Sequence, residues 1–171
     1  DADFIKDVSK WVLNYAIQEL KNFKENDLKI KISVNLSSMD LIDETFFLYA
    51  KDKIKLYDID PDLVEFELTE RIIIEDEEKV FKLLKKIKDF GIKISLDDYG
   101  AGYNSLKYIL NYADTFDYMK IDKSFVDNIF DDKNKLILKY MIDIARGLGI
   151  EVIAEGVEEQ SQVEILKSIG C

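Results

Sequence analysis

The sequence predicts an α/β fold in which parallel strands alternate with helices. Strand and helical periodicities take turns along the chain, and each of five predicted strands is followed by a helical stretch. Right-handed crossovers join such strands, either in an open doubly wound sheet or in a closed (β/α)8 barrel. No GxGxxG or Walker A sequence is present, so the usual nucleotide-binding motifs of open sheets are missing.

The first elements are a helix and a strand with different periods. Apolar residues recur at helical spacing over roughly residues 3 to 24, which predicts an amphipathic helix. Its apolar positions include Phe4, Trp11 and Tyr15. In LKIKISVNL, residues 28 to 36, apolar and polar residues alternate, which predicts a strand.

The later elements repeat this order. The predicted helices cover about residues 44 to 57, 76 to 90, 105 to 110, 132 to 146 and 159 to 168. The predicted strands are LVEFEL (63 to 68), IKISLD (92 to 97), DYMKI (117 to 121) and IEVIAE (150 to 155). Helices commonly end at a glycine, and Gly91 lies between the helix predicted over 76 to 90 and the strand predicted over 92 to 97.

Composition excludes several classes of function. Acidic residues outnumber basic ones by 35 to 24, for a net charge of -11, so a broad electrostatic grip on DNA or RNA is not expected. The chain has no histidine, which excludes Ser-His and Cys-His catalytic pairs. Its single cysteine is Cys171, which excludes an internal disulfide and a thiolate zinc site. The remaining carboxylates, amides and hydroxyls suit Mg²⁺, Mn²⁺ or Ca²⁺.

The sequence also carries an expectation about location. Hydrophobic residues make up 47% of the 171 residues, which is enough for one sizeable core. No apolar run is long enough to span a bilayer, and the first residues lack the basic and apolar regions of a signal peptide. We therefore expect a cytoplasmic domain that makes no membrane contact through this segment.

Polar residues fall at or near the C-terminal end of every predicted strand. In (β/α)8 enzymes this rim holds the active site, because the strand ends and the loops that follow them converge there. The pattern predicts one cluster that contains an amide, four carboxylates and an ammonium group. Its members are Asn35, Glu67, Asp97, Asp98, Lys120 and Glu155.

Each of these residues has an ordinary structural explanation when it is taken alone. Asn35 suits a turn or a helix cap, and the pair Asp97 and Asp98 suits a turn. Glu67 suits the exposed face of an alternating strand. Lys120 suits a position from which the aliphatic part of the side chain carries the ammonium group to solvent. A coincidence at every strand end is much less expected than one functional cluster.

The adjacent Asp97 and Asp98 favour cations in this cluster. Two desolvated like charges repel each other, and a divalent cation between them offsets that cost. Two oxygen-ligated cations about 4 Å apart form a recurring phosphodiester-cleaving site. In such a site Asp97 would bridge the metals and Asp98 would bind one of them, while Gly100 and Gly102 would let the backbone bend close to a ligand.

Several dispersed stretches resemble the EAL domain family, the cyclic di-GMP phosphodiesterases of bacterial signalling. They occur in the order of that family along nearly the whole chain, which makes the resemblance specific. The matching stretches are SVNLSS (33 to 38), FELTE (66 to 70), LDDYGAGYNSLKYI (96 to 109), YMKIDKSFV (118 to 126) and VIAEGVEEQSQVEILKSIGC (152 to 171).

The resemblance implies a (β/α)8 barrel that holds two Mg²⁺ or Mn²⁺ ions at its strand ends. The implied metal ligands are Asn35, Glu67, Asp97 and Asp98. Lys120 is implied to lie near the attacking water and the scissile phosphate, and Glu155 to help activate that water. Glu70 matches the glutamate that anchors the loop over residues 97 to 106, which couples to dimerisation in the family.

The activity so implied is hydrolysis of cyclic di-GMP to linear pGpG, which lowers the concentration of this second messenger. A metal-generated hydroxide attacks one phosphodiester in line, and the cations neutralise charge on the phosphate. This mechanism would let a strongly acidic protein process a dianion. The resemblance further implies a homodimer and fusion to sensory or cyclase domains, and it assigns no substrate-binding residue.

The chain carries about five of the eight βα units of such a barrel. The Glu-Ala-Leu signature, whose glutamate is a metal ligand in the family, is absent, and so is the last strand with its glutamine. We therefore expect residues 1–171 to be a partial EAL domain. An isolated segment of this kind exposes unpaired sheet edges, and we expect it to bind metal poorly and to be inactive.

Two other classes of function stay open on the same fold. A non-catalytic receptor would bind cyclic di-GMP and change an interface, whereas a dimerisation or regulatory module would keep the fold alone. The complete set of strand-end residues favours the enzyme, because a receptor has no chemical need for the metal ligands.

Overall fold

The computed structural model of the protein describes residues 2–41, 44–69, 77–100 and 105–171. The strands are β1 Ile32–Asn35, β2 Val64–Thr69, β3 Lys93–Tyr99, β4 Tyr118–Ile121 and β5 Glu151–Ala154. The helices are α1 Ala2–Glu25, α2 Thr45–Leu56, α3 Glu77–Phe90, α4 Ser105–Tyr112, α5 Lys123–Asp127, α6 Asp132–Gly147 and α7 Gln160–Ser168. The predicted α/β class is confirmed.

The described residues form two compact units. The first comprises residues 2–68 and 77–94, and the second comprises residue 69 and residues 95–171. None of the helices in the described ranges is long and apolar enough to cross a bilayer.

The first unit contains a parallel pair of strands, covered by helices. β1 pairs with β2 in register from Ile32 opposite Val64 to Asn35 opposite Glu67. The ring centroids of Phe66 on β2 and Phe46 on α2 lie 5.8 Å apart. Large apolar side chains make up most of the core of this unit. Its fully buried members include Leu13, Ile17, Phe66, Leu68, Leu84 and Ile87.

α1 is the predicted amphipathic helix, but its apolar surface has two parts. Leu13 and Ile17 are completely buried, whereas Phe4 and Trp11 are each 68% exposed and Tyr15 is 56% exposed. Periodicity reports that a face is apolar, and it does not report whether that face is covered. The exposed aromatic residues are therefore a result that the helical pattern alone does not predict.

β1 is shorter than the strand predicted over residues 28 to 36. The alternating pattern continues upstream of Ile32, but Leu28 is 51% exposed and Ile30 is 40% exposed. Only the last part of the segment pairs with β2. Pairing, which a single sequence does not reveal, therefore sets the start of the strand.

The second unit contains β4 between β5 and the part of β3 that begins at Ser95, and these strands are parallel. β4 pairs with β5 from Tyr118 opposite Glu151 to Ile121 opposite Ala154. α5, which periodicity does not reveal, follows β4 after only one residue. Asp122 caps it, because its carboxylate accepts a hydrogen bond from the Ser124 backbone N–H at 2.9 Å.

Candidate metal centre

Three carboxylates lie together in the second unit, where β3 and β5 end. Asp97 and Asp98 belong to β3, and Glu155 directly follows β5. One carboxylate oxygen of each residue lies within 4.8 Å of the corresponding oxygens of the other two. Parallel strands end at the same edge of their sheet, so residues far apart in sequence meet there.

Lys120 lies beside these carboxylates on β4. Its Nζ is 2.7 Å from Glu155 Oε1 and 3.6 Å from Asp97 Oδ1. The side chain is only 14% exposed, so these interactions are less screened by solvent than those of a surface ion pair. The ammonium group offsets part of the negative charge of the cluster.

An irregular stretch of backbone brings both aspartates into the cluster. Successive side chains of a regular strand point to opposite faces. The register of β3 on β4 shifts between Leu96 and Tyr99, and Asp98 has φ of 54°, in the left-handed region. The Asp98 backbone N–H also donates a hydrogen bond to Asp97 Oδ1 at 3.0 Å. The bulge therefore allows two consecutive carboxylates to serve one site.

Gly100 packs closely within the second unit. Its predicted role, to let the backbone approach a ligand, stays a prediction. Its φ is 98°, and an added Cβ would lie 2.6 Å from Phe125 Cε2 and 2.9 Å from Met141 Cε. The residue is therefore required by close contact with α5 and α6. Gly102 lies outside the described residues.

Partial burial and nearby negative charge raise the pKa of the Asp98 carboxyl above its ordinary value. Partial desolvation is the largest cause, followed by the charges of Asp97, Asp122 and Glu155. The positive charge of Lys120 acts in the opposite direction. Ionisation of Asp98 therefore costs free energy in the folded protein, and a bound cation would reduce this cost.

This raised pKa predicts a specific effect of Asp98→Asn. At a pH below its unfolded-state pKa, Asp98 is protonated in both the folded and the unfolded protein and has no effect on stability. As the pH rises through the raised folded-state pKa, ionisation opposes folding. We therefore expect Asp98→Asn to raise the Tm of the metal-free protein more at pH 7 than at pH 4.

Thermal melts with a chelator at both pH values would measure this difference. The comparison between the two pH values separates the charge effect from any conformational preference of asparagine for the left-handed backbone. With Mn²⁺ present at pH 7, we expect Asp98→Asn to have a lower Tm than the unmodified protein, because the variant lacks one charged oxygen ligand. A metal-free variant less stabilised at pH 7 than at pH 4 would contradict the assignment.

Asp122 contributes to the electrostatics of the cluster, although sequence reasoning did not single it out. It follows Lys120 by two residues, and its negative charge is one cause of the raised pKa of Asp98. The signal for its position is the Asp-x-Ser sequence after β4, which is typical of a helix cap. Its carboxylate thus both caps α5 and adds to the negative potential.

Asn35 and Glu67 lie together in the first unit. They are register partners at the C-terminal ends of β1 and β2, so their side chains share one face of the strand pair. The Leu36 backbone N–H donates to the Glu67 carbonyl at 2.9 Å and extends this ladder. Glu67 is only 7% exposed and Glu65 only 6% exposed. The ordinary explanation of Glu67 as an exposed strand residue is therefore wrong.

Asp40 is a second residue that sequence reasoning missed, and it supports the turn after Asn35. It is 2% exposed. Its Oδ2 accepts hydrogen bonds from Ser37 N at 2.9 Å, Ser37 Oγ at 2.6 Å and Ser9 Oγ at 2.9 Å. The available signal was the Ser-x-x-Asp spacing of a capping box.

The structure thus gives two groups of predicted residues, each within one unit. Asp97, Asp98, Lys120 and Glu155 form the group of the second unit. Asn35 and Glu67 form the group of the first unit. Glu70, the predicted anchor of the loop after β3, lies outside the described residues.

The chemistry of the second group fits a hard divalent cation. Three carboxylates face one another with one nearby ammonium group, and desolvation together with the negative neighbours raises the pKa of Asp98. Oxygen donors of this kind are the preferred ligands of Mg²⁺ and Mn²⁺. This cluster is therefore a candidate site for such a cation, with Asp97 and Asp98 as its candidate ligands and Glu155 beside them.

Comparison with known proteins identifies related sequences along the whole chain. Residues 1–171 match the EAL domain family. The chain is 30% identical over 172 residues to the signaling protein YkoW of Bacillus subtilis, covering 100% of this chain and 21% of YkoW. It is 30% identical over 168 residues to a cyclic di-GMP phosphodiesterase of Pseudomonas aeruginosa, covering 98% of this chain and 28% of that protein. The chain thus spans less than a third of the length of these relatives.

Solved structures give the same result for the fold. The PaMucR phosphodiesterase in its c-di-GMP complex matches with a TM-score of 0.87 and 27% identity, covering 99% of this chain and 73% of that chain. The EAL domain of Mycobacterium smegmatis DcpA matches with a TM-score of 0.88 and 28% identity, covering 95% of this chain and 74% of that chain. The predicted resemblance is confirmed.

Proposed function

We propose that this chain, which belongs to the EAL domain family, supplies most of the metal site of a phosphodiesterase that hydrolyses cyclic di-GMP to linear pGpG. The observation that carries the proposal is the carboxylate cluster of Asp97, Asp98 and Glu155 with Lys120 beside it. Two relatives support the choice of substrate, since one is named a cyclic di-GMP phosphodiesterase and another was solved in a c-di-GMP complex.

Asp97 and Asp98 are proposed as ligands of Mg²⁺ or Mn²⁺, with two ions in the complete site. Asn35 and Glu67 are proposed as further ligands, supported by their shared position at the ends of β1 and β2. Divalent cations at such a site lower the pKa of water and neutralise charge on a phosphodiester. The ligand atoms are all oxygens, which suits these ions.

Glu155 is proposed to accept a proton in the reaction, and Lys120 is proposed to stabilise the negative charge that develops on the phosphate. The Glu155 carboxylate accepts the proton of the attacking water, and its 2.7 Å contact with Lys120 orients it. The Lys120 ammonium group then donates to the phosphate oxygens as negative charge develops on them. The attack is in line with the departing ribose oxygen, which takes up a proton from solvent as the P–O bond breaks, so a linear dinucleotide remains.

Glu70 keeps its proposed role as the anchor of the loop that follows Asp98. A homodimer, a cytoplasmic location and fusion to sensory or cyclase domains are proposed with it, by analogy with the signalling relatives. Since the chain covers 21% of YkoW, other domains would supply the input signal.

Metal and nucleotide binding give the first test of this proposal. In the full-length native protein, saturating Mn²⁺ at about 100 times its Kd should stabilise the fold by about 2.7 kcal/mol, which raises Tm by several degrees. Cyclic di-GMP should add to this shift, and pGpG should accumulate when Mn²⁺ is present. Glu164→Ala, which removes an exposed carboxylate on α7, should behave as the unmodified protein does.

The outcomes separate the three classes of function. Stabilisation by Mn²⁺ and cyclic di-GMP together with pGpG formation supports the enzyme. Stabilisation by the nucleotide without turnover indicates a receptor, and no stabilisation by either ligand indicates a module that keeps only the fold. Either of the last two results would overturn the proposed activity.

A further inference from the structure

The loop between β5 and α7 carries Glu155 and is held by one buried side chain. Gln162 is 6% exposed. Its Oε1 accepts hydrogen bonds from the backbone N–H groups of Glu158 at 2.8 Å and Glu159 at 2.9 Å. These two amides lie three and four residues after Glu155, at the other end of the same short loop.

The other end of the Gln162 amide reaches α5. Its Nε2 donates a hydrogen bond to the Val126 carbonyl at 3.3 Å. α5 begins at Lys123, three residues after Lys120. One side chain therefore joins the segment that follows Lys120 to the segment that follows Glu155.

Two further contacts hold these same segments against each other. Lys123 Nζ lies 2.7 Å from Glu158 Oε1. Gly156 has φ of 70°, and a Cβ on it would lie 2.4 Å from Lys123 Cγ. The ion pair is exposed and contributes little, as surface pairs do. The buried amide of Gln162 makes the stronger connection, because its removal would leave the backbone N–H groups of Glu158 and Glu159 to find new partners.

We propose that Gln162 is a positioning residue that holds Glu155 beside Lys120, and this inference rests on the proposed phosphodiesterase function. In the described structure the Glu155 carboxylate contacts Lys120, and the Glu155 backbone N–H donates a hydrogen bond to the Ile121 carbonyl at 3.2 Å. The position of its carboxylate therefore depends on how the loop is fixed downstream. A displacement of about 1 Å at a reacting group can reduce turnover on the order of 10²-fold.

The test compares substitutions of Gln162 in the full-length native protein. Gln162→Leu should lower kcat for cyclic di-GMP by about 10-fold or more, and KM should change less than about twofold, because the substrate contacts are retained. Gln160→Leu is the matched control, since it makes the same change on the exposed surface of α7. It should leave both constants unchanged.

Gln162→Glu refines the test and replaces the leucine variant if that variant does not fold. The new carboxylate still accepts from the amides of Glu158 and Glu159, but it cannot donate to the Val126 carbonyl. Its kcat should lie between those of the unmodified protein and Gln162→Leu. A value of kcat for Gln162→Leu that equals the control value would overturn the inference.

Amide hydrogen exchange separates a failure of this inference from a failure of the proposed function. The Glu158 and Glu159 amides should exchange faster in Gln162→Leu than in Gln160→Leu. If the unmodified protein has no turnover, the phosphodiesterase proposal fails, and exchange alone decides whether Gln162 holds the loop. Unchanged exchange in Gln162→Leu would overturn its positioning role, whatever the activity.

Discussion

Asp97→Ala is expected to reduce turnover of cyclic di-GMP by on the order of 10³-fold or more, the upper range for loss of one electrostatic contact in a transition state. Asp97 belongs to the carboxylate cluster, with one oxygen within 4.8 Å of those of Asp98 and Glu155, and its Oδ1 lies 3.6 Å from Lys120 Nζ. Its removal takes away a proposed metal ligand and also a charged neighbour of Lys120 and Glu155. The measurement is pGpG formation at saturating Mn²⁺.

A second substitution at the same position separates charge from shape. Asp97→Asn keeps an oxygen that can accept the hydrogen bond from the Asp98 backbone N–H, which is 3.0 Å long in the structure. It removes the negative charge, so the metal affinity should fall and turnover should fall with it. Glu164→Ala serves again as the exposed control. Retention of a tenth or more of the activity by Asp97→Asn would rule out the proposed role of Asp97.

The same variants should lose the stabilisation that Mn²⁺ gives to the unmodified protein. In the metal-free state the change in Tm should be small, because the loss of the hydrogen bond and of the Lys120 contact is offset by reduced repulsion among the carboxylates. A large fall in the metal-free Tm would instead indicate that Asp97 acts mainly in folding.

Element order is the part of the fold that the sequence predicts best. Hydrophobic periodicity locates long elements such as α1 and α6, and the alternation of periods predicts parallel pairing. α5 has only five residues, which is too short for periodicity to reveal. The start of β1 depends on which residues pair with β2, and this is a property of two segments rather than one.

The site depends on features that spacing alone does not contain. Polar residues at strand ends indicated where Asp97, Lys120 and Glu155 would lie, because parallel strands end at a common edge. The bulge that lets Asp98 join Asp97 is a property of the backbone, and Gly100 turned out to pack against Phe125. Capping-box spacing indicates the local hydrogen bonds of Asp40 and Gln162, but their bonds to Ser9 and to the Val126 carbonyl are long-range, and no local pattern specifies them.

Lys120→Met is expected to reduce turnover by about 10²- to 10³-fold, the range found when one charge-stabilising donor is removed from a transition state. The methionine side chain occupies much of the volume of the lysine stem, so the packing of β4 should be kept. The ammonium group that contacts Glu155 and Asp97 is lost. Turnover should therefore fall because the Glu155 carboxylate loses its partner and the phosphate loses a donor.

Metal binding should respond to Lys120→Met in the opposite direction to Asp97→Ala. Removal of a positive charge 3.6 Å from Asp97 Oδ1 makes the cluster more negative, so Mn²⁺ should bind as tightly as before or more tightly. The metal-free Tm should fall, because Glu155 and Asp97 lose their compensating charge, and added Mn²⁺ should recover much of this loss. Lys133→Met, on the exposed surface of α6, controls for a change in net charge. A Mn²⁺ affinity that falls as far in Lys120→Met as in Asp97→Ala would mean that Lys120 organises the metal site instead of acting on the substrate beside it.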